Sequence, residues 1–358
     1  MSEWKEYKLG EIITLQRGYD LPRAKMKNGE IPVAGSNGII GYHDQYTTEG
    51  PGITIGRSGN IGVPKFYKGN FWAHNTVLYV KDFHGNDEKF VYYLLQTIDF
   101  TQFNTGSAVP SLNRNHVYEL NISIPLLSEQ KRIASILGSL DDKIDLLHRE
   151  NETLEAMAET LFRKWFEDAK DESSETILGD VVETISGGTP SRKNEKYYQK
   201  GTIDWVKSKE LNGTFLLETE EKITEDAVAN SSAKFIPANS VLIAMYGATV
   251  GENAIIAKEM TCNQAICALI PNENYPYTYL FLWAKLMKEE FINLACGAAQ
   301  QNISQILIKQ QPISDNVNAI KQFHVIVEPF FEKIKLNAKQ LYTLTQKKNL
   351  LLMSLMTN

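Results

Sequence analysis

The sequence predicts an α+β fold, in which two similar α/β domains are separated by two long helices that pack as an antiparallel coiled coil. Two observations lead to this fold class. Five short motifs of the first half recur in the same order in the second half, and their offset drifts only from 169 to 191 residues. Each half also ends in a long segment whose apolar residues recur mainly every three, four or seven positions, which is the pattern of a coiled-coil helix.

The internal repeat consists of five matched segments. They are Leu9–Ile13 with Leu178–Val182, Gly59–Gly62 with Gly247–Gly251, His74–Val77 with Cys262–Ala265, Gly106–Asn113 with Gly297–Ser304, and Lys143–Ile144 with Lys333–Ile334. Each match is short, but five matches in one order make chance improbable. A chain of 358 residues is also long enough for two domains with cores of their own.

The first part of each half predicts a mixed domain. Short β-rich runs such as Gly52–Ile55 and Ser240–Ala244 lie between turn signals rich in Gly, Pro and Asn. The segments Phe90–Ile98 and Tyr279–Glu290 have the spacing of helices instead. We therefore expect an α/β domain in each half.

The second part of each half predicts a long helix. The central helical segment covers residues 129–172, and Ser128 before it is a residue type that caps helix N-termini. The C-terminal helical segment covers residues 315–358, and Pro329 within it should break or kink the helix, or mark its true start. At about 1.5 Å per residue, a helix of some 40 residues is a rod of about 60 Å.

The two helical segments have complementary charge. The central segment, 129–172, carries a net charge of −5, and the C-terminal segment, 315–358, carries +3. The mixed domains that these boundaries leave are residues 1–128, which are neutral, and residues 173–314, which carry −4. One apolar stripe needs one partner, so the simplest arrangement pairs the two helices with each other. Oligomers formed through the same stripes are the alternative.

The composition limits the class of protein. A net charge of −6 is unusual for a chain that binds DNA unaided, because phosphate binding normally requires a basic excess. We therefore expect segregated charges or a basic partner. No apolar run approaches the ~18 residues of a membrane span, and the N-terminus lacks the apolar region of a signal peptide. The three cysteines fit neither a disulfide framework nor zinc spacing, so we expect buried free thiols and a cytoplasmic protein without membrane contact.

Several motifs resemble the DNA specificity subunits of Type I restriction–modification systems. They are Gly106–Arg114, Ile124–Ile133, Ser186–Ser191 with Ile203–Val206, and Tyr246–Gly251 with Asn263–Ala265. The resemblance covers essentially the whole chain. It implies two target-recognition domains, each reading one half of a bipartite double-stranded DNA target, that alternate with two helical regions. It also implies docking of two methyltransferase subunits, with restriction subunits added in the full complex.

Motifs for chemistry are absent from the sequence. It has no Gly-x-x-x-x-Gly-Lys-Ser/Thr loop for ATP, no Asn/Asp-Pro-Pro-aromatic motif of an adenine methyltransferase, and no Pro-Asp nuclease signature. We therefore expect no catalytic residue, metal site or cofactor in this chain. S-adenosylmethionine would belong to the methyltransferase partner, and ATP and Mg²⁺ to the restriction partner. Residues Ser314–Asn318 depart from the Ser-Glu-Gln-Lys-Arg of the first repeat, so the C-terminal docking surface is expected to differ from the central one.

Side chains suited to DNA contact stand in the turns of both halves. Arg pairs with guanine and Asn or Gln with adenine, while Lys, Ser and Thr suit phosphates. In the first half the candidates are Arg57, Ser58, Asn60, Lys65, Asn75, Ser107, Asn113 and Arg114. In the second half they are Arg192, Lys193, Lys207, Ser208, Lys209, Tyr246, Thr249, Asn263, Gln264, Gln300, Gln301 and Asn302. For each, the alternative is an ordinary turn residue or a solvated side chain.

Asn75 and Asn263 are expected to occupy matching repeat positions, which favours a role in the fold for this pair. A bivalent protein-binding scaffold with no DNA role is the alternative function, and it fits the net acidity.

Overall fold

The computed structural model describes residues 4–103, 111–168, 175–296 and 302–356. It contains two compact units. Unit 1 consists of Met1–Ile144 with Leu344–Asn358, and unit 2 consists of Asp145–Thr343. The division runs across both long helices, so each unit contains one mixed domain and a stretch of each helix.

Unit 1 is built from short strands and short helices before the first long helix. Its strands are β1 (Lys5–Lys8), β2 (Thr14–Arg17), β3 (Ile31–Gly35), β4 (Gly38–His43), β5 (Gly52–Gly56), β6 (Pro64–Tyr67), β7 (Trp72–Ala73), β8 (Val77–Asp82) and β9 (Asn121–Ile124). Its helices are α1 (Leu9–Ile12), α2 (Glu88–Gln96), α3 (Arg114–Tyr118) and the start of α4 (Leu127–Phe162), with 3-10 turns at Arg23–Lys25 and Phe100–Phe103. The strands form an antiparallel sheet of order β2-β8-β5-β6, a sheet of order β4-β3-β7 and the pair β1-β9.

Unit 2 repeats this plan. Its strands are β10 (Glu175–Ile177), β11 (Glu183–Ser186), β12 (Ile203–Val206), β13 (Phe215–Leu216), β14 (Lys222–Ile223), β15 (Val241–Ala244), β16 (Asn253–Ile256), β17 (Thr261–Cys262), β18 (Ile266–Ile270) and β19 (Pro312–Ser314). Its helices are α5 (Leu178–Val181), α6 (Glu225–Ala229), α7 (Tyr277–Leu286), α8 (Lys288–Cys296), α9 (Gln305–Lys309) and most of α10 (Val317–Met356). Short 3-10 turns lie at Glu195–Tyr197, Ser208–Glu210 and Gly247–Thr249, and a π-helical turn at Arg163–Glu167 extends α4.

The two units share their sheet topology as well as their order of elements. The sheet β11-β18-β15-β16-β13 matches β2-β8-β5-β6, with β13 added parallel to β16 at one edge. The sheet β14-β12-β17 matches β4-β3-β7, since in both cases one neighbour is antiparallel and the other parallel. The duplication that the sequence predicts is therefore a duplication of structure.

The core of unit 1 joins α2 to the sheet and to the long helix. Phe90, Val91 and Leu94 of α2 lie in one buried apolar cluster with residues of β5 and β8. Gln130 of α4 is also buried, and it holds the N-terminus of α2. Its Oε1 accepts from the Asp87 N–H at 3.0 Å, and its Nε2 donates to Asn86 Oδ1 at 2.9 Å and to the Pro125 carbonyl at 3.1 Å. These bonds satisfy polar groups that would otherwise be buried without partners.

The core of unit 2 is dominated by α7. Its residues from Tyr277 to Ala284 are buried, so this helix is apolar on all sides and is enclosed by its neighbours. In the apolar cluster that contains it, Phe162 of α4 and Phe323 of α10 have ring centroids 5.6 Å apart.

Within unit 2, α4 and α10 run antiparallel. Phe162 meets Phe323 at one end of this stretch, and Asn337 Nδ2 donates to Asn151 Oδ1 at 2.8 Å and to Glu150 Oε2 at 2.9 Å toward the other. Asn337 is fully buried, so it places a polar layer in the apolar seam. A buried amide at such a position favours one helix register over the alternatives.

Within unit 1, the same helices again run antiparallel. Lys348 Nζ lies 2.6 Å from Asp141 Oδ1. Met356, near the end of α10, packs in the apolar cluster that contains Ile133 and Leu137 of α4. Both stretches of the helix pair therefore have the antiparallel direction that the sequence predicts.

The acidic charge of α4 is neutralised from two sources. Ion pairs from α10 are Lys333–Glu150 at 3.4 Å and Lys348–Asp141 at 2.6 Å. Ion pairs from the mixed domains are Lys68–Asp142 at 2.9 Å, Lys89–Asp142 at 3.8 Å, and Lys285 with Glu155 and Glu159. The acidic helix thus pairs with basic α10, as its charge predicts, and also anchors each mixed domain.

Two local expectations for the helices are wrong: Ser128 does not cap α4, and Pro329 neither breaks α10 nor marks its start. A kink at Pro329 stays a prediction. Helix α4 begins at Leu127, so Ser128 lies inside the first turn and does not cap it; the Leu126 carbonyl accepts from the Glu129 and Gln130 N–H groups instead. Pro329 lies inside α10, which continues through it from Val317. Proline removes the bond to the Val325 carbonyl, and Val325 is 71% exposed, so water can satisfy that carbonyl. In the described part of the chain, no helix has an apolar stretch long enough to cross a membrane.

Candidate nucleic-acid interface

In unit 1, the turns at one end of the strands converge into a single surface, which we call loop cluster 1. It consists of residues 17–20, 34–36, 57–62, 74–76 and 111–113. Backbone bonds join these segments: Tyr19 N to Ala73 O (2.8 Å), His74 N to Ala34 O (3.0 Å), Arg57 N to Thr76 O (2.8 Å) and Leu112 N to Arg57 O (2.9 Å). The segments come from distant parts of the sequence, so the fold creates this surface.

Unit 2 builds the same surface, loop cluster 2, from residues 187–188, 206–209, 245–252, 263–265 and 302–304. The matching bonds are Gly188 N to Cys262 O (2.9 Å), Asn263 N to Val206 O (2.9 Å), Met245 N to Ala265 O (2.8 Å) and Ile303 N to Met245 O (2.9 Å). Each of these bonds has its counterpart in loop cluster 1. The two surfaces therefore share a backbone frame.

Glycines make the close packing of these turns possible. A Cβ atom on Gly18 would lie 2.2 Å from the His74 carbonyl oxygen, and one on Gly187 would lie 2.1 Å from that of Asn263. Only glycine fits such an approach between two backbones. Gly62 and Gly251 also match, since both have a φ of +81° in the hairpin turn after β5 and β15. This hairpin match is one that the sequence repeat predicts.

The structural register corrects one residue match. Asn263 corresponds to His74, because their N–H groups make the same bond to β12 and β3, and Gln264 therefore corresponds to Asn75. The expected equivalence of Asn75 with Asn263 is wrong by one residue. The parallel pairing of β17 with β12 and of β7 with β3 sets this register, and it depends on residues far away in sequence.

Several candidates of the first half have partners within unit 1. Asn75 Nδ2 donates to Asp20, and Arg57 Nη1 donates to the Asn75 carbonyl at 3.3 Å. Asn113 caps α3 by accepting from the Asn115 N–H, and Arg114 Nη1 donates to the Leu15 carbonyl at 3.1 Å, so both support the fold.

The remaining candidates of the first half lie at the surface or outside the described residues. Ser58 belongs to loop cluster 1, where its backbone pairs with that of Ser111 in a single antiparallel β-bridge. Asn60 is exposed at the hairpin tip, and Lys65 is exposed on β6. Ser107 lies outside the described residues.

Three of the basic candidates of the second half form ion pairs with acidic residues. Arg192 makes a bidentate pair with Glu221, with Nη2 at 2.8 Å from Oε2, and its guanidinium carbon lies 4.1 Å from the centre of the Tyr198 ring. This hydrogen bond holds the pKa of Glu221 below its ordinary value. Lys207 and Lys209 pair with Glu220, at 3.3 Å and 2.7 Å. Such pairs limit how freely these cations can approach phosphates.

These acidic partners are not among the candidates that the sequence indicates, although the run Glu218–Glu221 contains three carboxylates. Of the other basic candidates, Lys193 is exposed. Ser208 lies in the turn after Lys207, within loop cluster 2 and partly exposed.

The polar and aromatic candidates of the second half gather in loop cluster 2. Tyr246 is 40% exposed and forms an isolated bridge with Asn302, and Thr249 Oγ1 donates to the Tyr246 carbonyl at 3.0 Å. Asn263 Oδ1 accepts from the Ala265 N–H at 3.1 Å, so its side chain shapes the turn. Gln264 is exposed at the tip of that turn. Gln300 and Gln301 lie outside the described residues.

Among the described residues, no cysteine thiol and no metal-binding group belongs to the loop clusters. Cys262 and Cys267 are buried, and burial raises the pKa of the Cys267 thiol to about 12. Cys296 is exposed, so the expectation that all three thiols are buried is wrong; it is the last residue of α8, and the residue before it, Ala295, faces the core. Across the described ranges, no group of three His, Cys, Asp or Glu side chains is placed to hold a metal ion.

The chain matches the model of a known protein family. The model for the Type I restriction modification DNA specificity domain matches the chain twice, over residues 1–156 and 171–346. The two matches therefore correspond to the two halves of the internal repeat.

Curated relatives have the same description. The MjaIX Type I restriction enzyme specificity subunit of Methanocaldococcus jannaschii is 27% identical, over 74% of this chain and 67% of its own length. The EcoR124I/EcoR124II specificity subunit of Escherichia coli is 31% identical, over 54% of this chain and 50% of its own length. The HindI specificity subunit of Haemophilus influenzae is 24% identical, with 98% of both chains covered.

A solved structure supports the fold. The S subunit of a Type-I restriction-modification system from M. genitalium has a TM-score of 0.67 and 17% identity, covering 100% of this chain and 97% of that chain. The predicted fold class is thereby confirmed. The family match also confirms the resemblance seen in the motifs and the expectation of a specificity subunit rather than an enzyme. The chain belongs to the family of Type I restriction–modification DNA specificity subunits.

Proposed function

We propose that this chain reads a bipartite DNA target for a Type I restriction–modification complex and catalyses no reaction itself. The observation that carries the proposal is the loop cluster, which the chain builds twice on the same backbone bonds but with different side chains. A target with two unlike halves requires this combination, because each half needs its own set of reading groups on a common scaffold.

The side chains at corresponding positions support different readers. Arg57 of loop cluster 1 corresponds to Met245, which is buried, and Ser58 corresponds to Tyr246. Arginine suits guanine, whereas a tyrosine offers a flat apolar ring and a hydroxyl. We expect each loop cluster to face one half-site.

The charge balance supports recognition within an assembly. The chain has a net charge of −6, and Lys207 and Lys209 are already paired with Glu220. Phosphate contacts supply much of the affinity of most DNA-binding proteins. We propose that basic surfaces of partner subunits supply part of that affinity and close around the DNA.

The proposed partners are two methyltransferase subunits docked on the helical regions and, in the full complex, restriction subunits. S-adenosylmethionine would bind to the methyltransferase, which must extrude the target base from the helix before modifying it. ATP and Mg²⁺ would bind to the restriction subunit. We propose the cytoplasm as the location, where the complex has access to DNA.

The test is to co-express the chain with its methyltransferase and to map modified bases across the host genome. We expect a split motif, with two specified half-sites separated by unspecified base pairs. A contiguous motif, or no new modification with a methyltransferase shown to be active alongside another specificity subunit, would overturn the proposal.

A further inference from the structure

We propose that Gln264 reads an adenine in the half-site that loop cluster 2 faces. This inference rests on the proposed function and assigns one base-reading side chain within that surface. Gln264 lies in the turn between β17 and β18, at the position that corresponds to Asn75 in loop cluster 1.

The backbone places Gln264 where two other segments of the loop cluster meet. The residue before it, Asn263, donates its N–H to the Val206 carbonyl at 2.9 Å. The residue after it, Ala265, accepts at its carbonyl from the Met245 N–H at 2.8 Å. Gln264 is thus flanked by the segment that carries Lys207 and by the segment that carries Tyr246.

The turn that carries Gln264 is held in a single shape. Asn263 Oδ1 accepts from the Ala265 N–H at 3.1 Å, and the Asn263 carbonyl accepts from the Ile266 N–H at 3.2 Å. Gly187 packs against this turn so closely that a Cβ there would lie 2.1 Å from the Asn263 oxygen. A rigid turn lowers the entropy lost on binding, because little ordering remains to be done.

The Gln264 side chain is available for a ligand. It is exposed, and among the described residues it makes no hydrogen bond or ion pair with another side chain or backbone group. The corresponding Asn75 differs, since its amide donates to Asp20. Asn263 also differs, because its oxygen belongs to the turn.

The free amide has the hydrogen-bonding groups that adenine requires. A glutamine offers an acceptor and two donors at one planar end, and it pairs with adenine N6 and N7 through two bonds in the major groove. Tyr246, 40% exposed on the adjacent segment, adds an aromatic side chain to the same loop cluster. An uncharged amide is also suited to this surface, where Glu220 and Glu221 offset the nearby lysines.

The test compares the modification motifs of four complexes, each with the methyltransferase: the unaltered chain, Gln264→Ala, Gln264→Arg and Asn75→Ala. We expect Gln264→Ala to lower discrimination at one A·T pair of one half-site about tenfold, with the other half-site unchanged. Gln264→Arg should move the preference at the same position to G·C, because arginine pairs with guanine O6 and N7. Asn75→Ala should leave that half-site as it is.

The outcomes separate this inference from the function on which it rests. A split motif in the unaltered complex with full discrimination kept in both Gln264 variants would overturn the adenine assignment alone. A uniform loss of modification with an unchanged motif would also overturn it, since that result indicates a phosphate contact. A complex of the unaltered chain with no split motif would overturn the proposed function and this inference with it. Equal melting temperatures of the four complexes would show that the variants are folded.

Discussion

Replacing Glu220 by Gln should make DNA binding by the methyltransferase complex more dependent on salt. Glu220 Oε2 lies 2.7 Å from Lys209 Nζ and 3.3 Å from Lys207 Nζ. The hydrogen bond from Lys209 holds the pKa of Glu220 below its ordinary value, so the carboxylate is charged at neutral pH. Its removal takes away the nearest carboxylate of Lys209, on which Glu210 and Glu221 act more weakly, and releases Lys207 in part, since Glu221 stays 3.5 Å from Lys207.

The size of this effect follows from the number of released cations. Each further phosphate neutralised steepens the slope of log K against log salt by about 0.9, so we expect a slope steeper by about 1 to 2. Fluorescence anisotropy with a labelled target duplex over a series of KCl concentrations measures the slope. Glu290→Gln, on the exposed face of α8 and outside loop cluster 2, is the matched control. An unchanged slope, or the same steepening in the control, would refute the placement of Lys207 and Lys209 at the DNA.

Further variants test the packing beneath the two surfaces. Gln130→Ala removes three hydrogen bonds from a buried site and should lower the free energy of unfolding of unit 1 by about 3 kcal/mol, which denaturant titration measures. Burial alone would raise the pKa of Asp204. The bond from Lys258 at 2.8 Å and the bond from the Thr219 N–H outweigh this effect, so the pKa of Asp204 lies below its ordinary value. The stability that Asp204 contributes is therefore present at neutral pH and lost as the pH falls through that lowered pKa. The difference in free energy of unfolding between the unaltered chain and Asp204→Asn should shrink in acid. A difference in free energy of unfolding that grows in acid would contradict this. Gly187→Ala crowds the Asn263 carbonyl and should destabilise unit 2 by about 1–3 kcal/mol, while an unchanged melting temperature would show that the turn can yield.

The duplication and the long helices could be predicted because their signals are local or repeated. Gly62 and Gly251 hold the same turn in both halves, and glycine is required there by a positive φ. The apolar stripe of α4 likewise follows from residue spacing, and Ile133 and Leu137 are buried as that stripe requires. Signals of this kind need no knowledge of the tertiary fold.

The finer features of the two surfaces depend on contacts between distant residues. Arg192 and Glu221 are 29 positions apart, so their pairing is invisible in the sequence, where Arg192 has the signature of a free DNA contact. The register that aligns Gln264 with Asn75 is set by parallel strand pairs rather than by local spacing. Contact of the candidate side chains with DNA bases or phosphates stays a prediction.

The duplication also conceals a difference between the halves. Gln130 ties α2 to α4 in unit 1, whereas Asn316, at the corresponding position of unit 2, accepts from the Ala319 N–H of its own helix. By contrast, the bond from the Asn86 amide to the Ile12 carbonyl recurs in unit 2 as the bond from the Asn272 amide to the Val181 carbonyl. The two frames thus share some polar contacts and differ in others. A repeat in sequence identifies the shared frame but not the side chains that stabilise each copy.

The central claim is that both loop clusters contact DNA in one complex. Photocrosslinking tests it most directly, with benzoylphenylalanine placed at Ser58, at Tyr246 or, as a control, at the exposed Leu350 of α10, in the complex with methyltransferase and target duplex. The account predicts crosslinks from Ser58 to one half-site, from Tyr246 to the other half-site, and none from Leu350. Crosslinks from both positions to the same half-site, or no crosslink from either with the complex bound to its target, would contradict it.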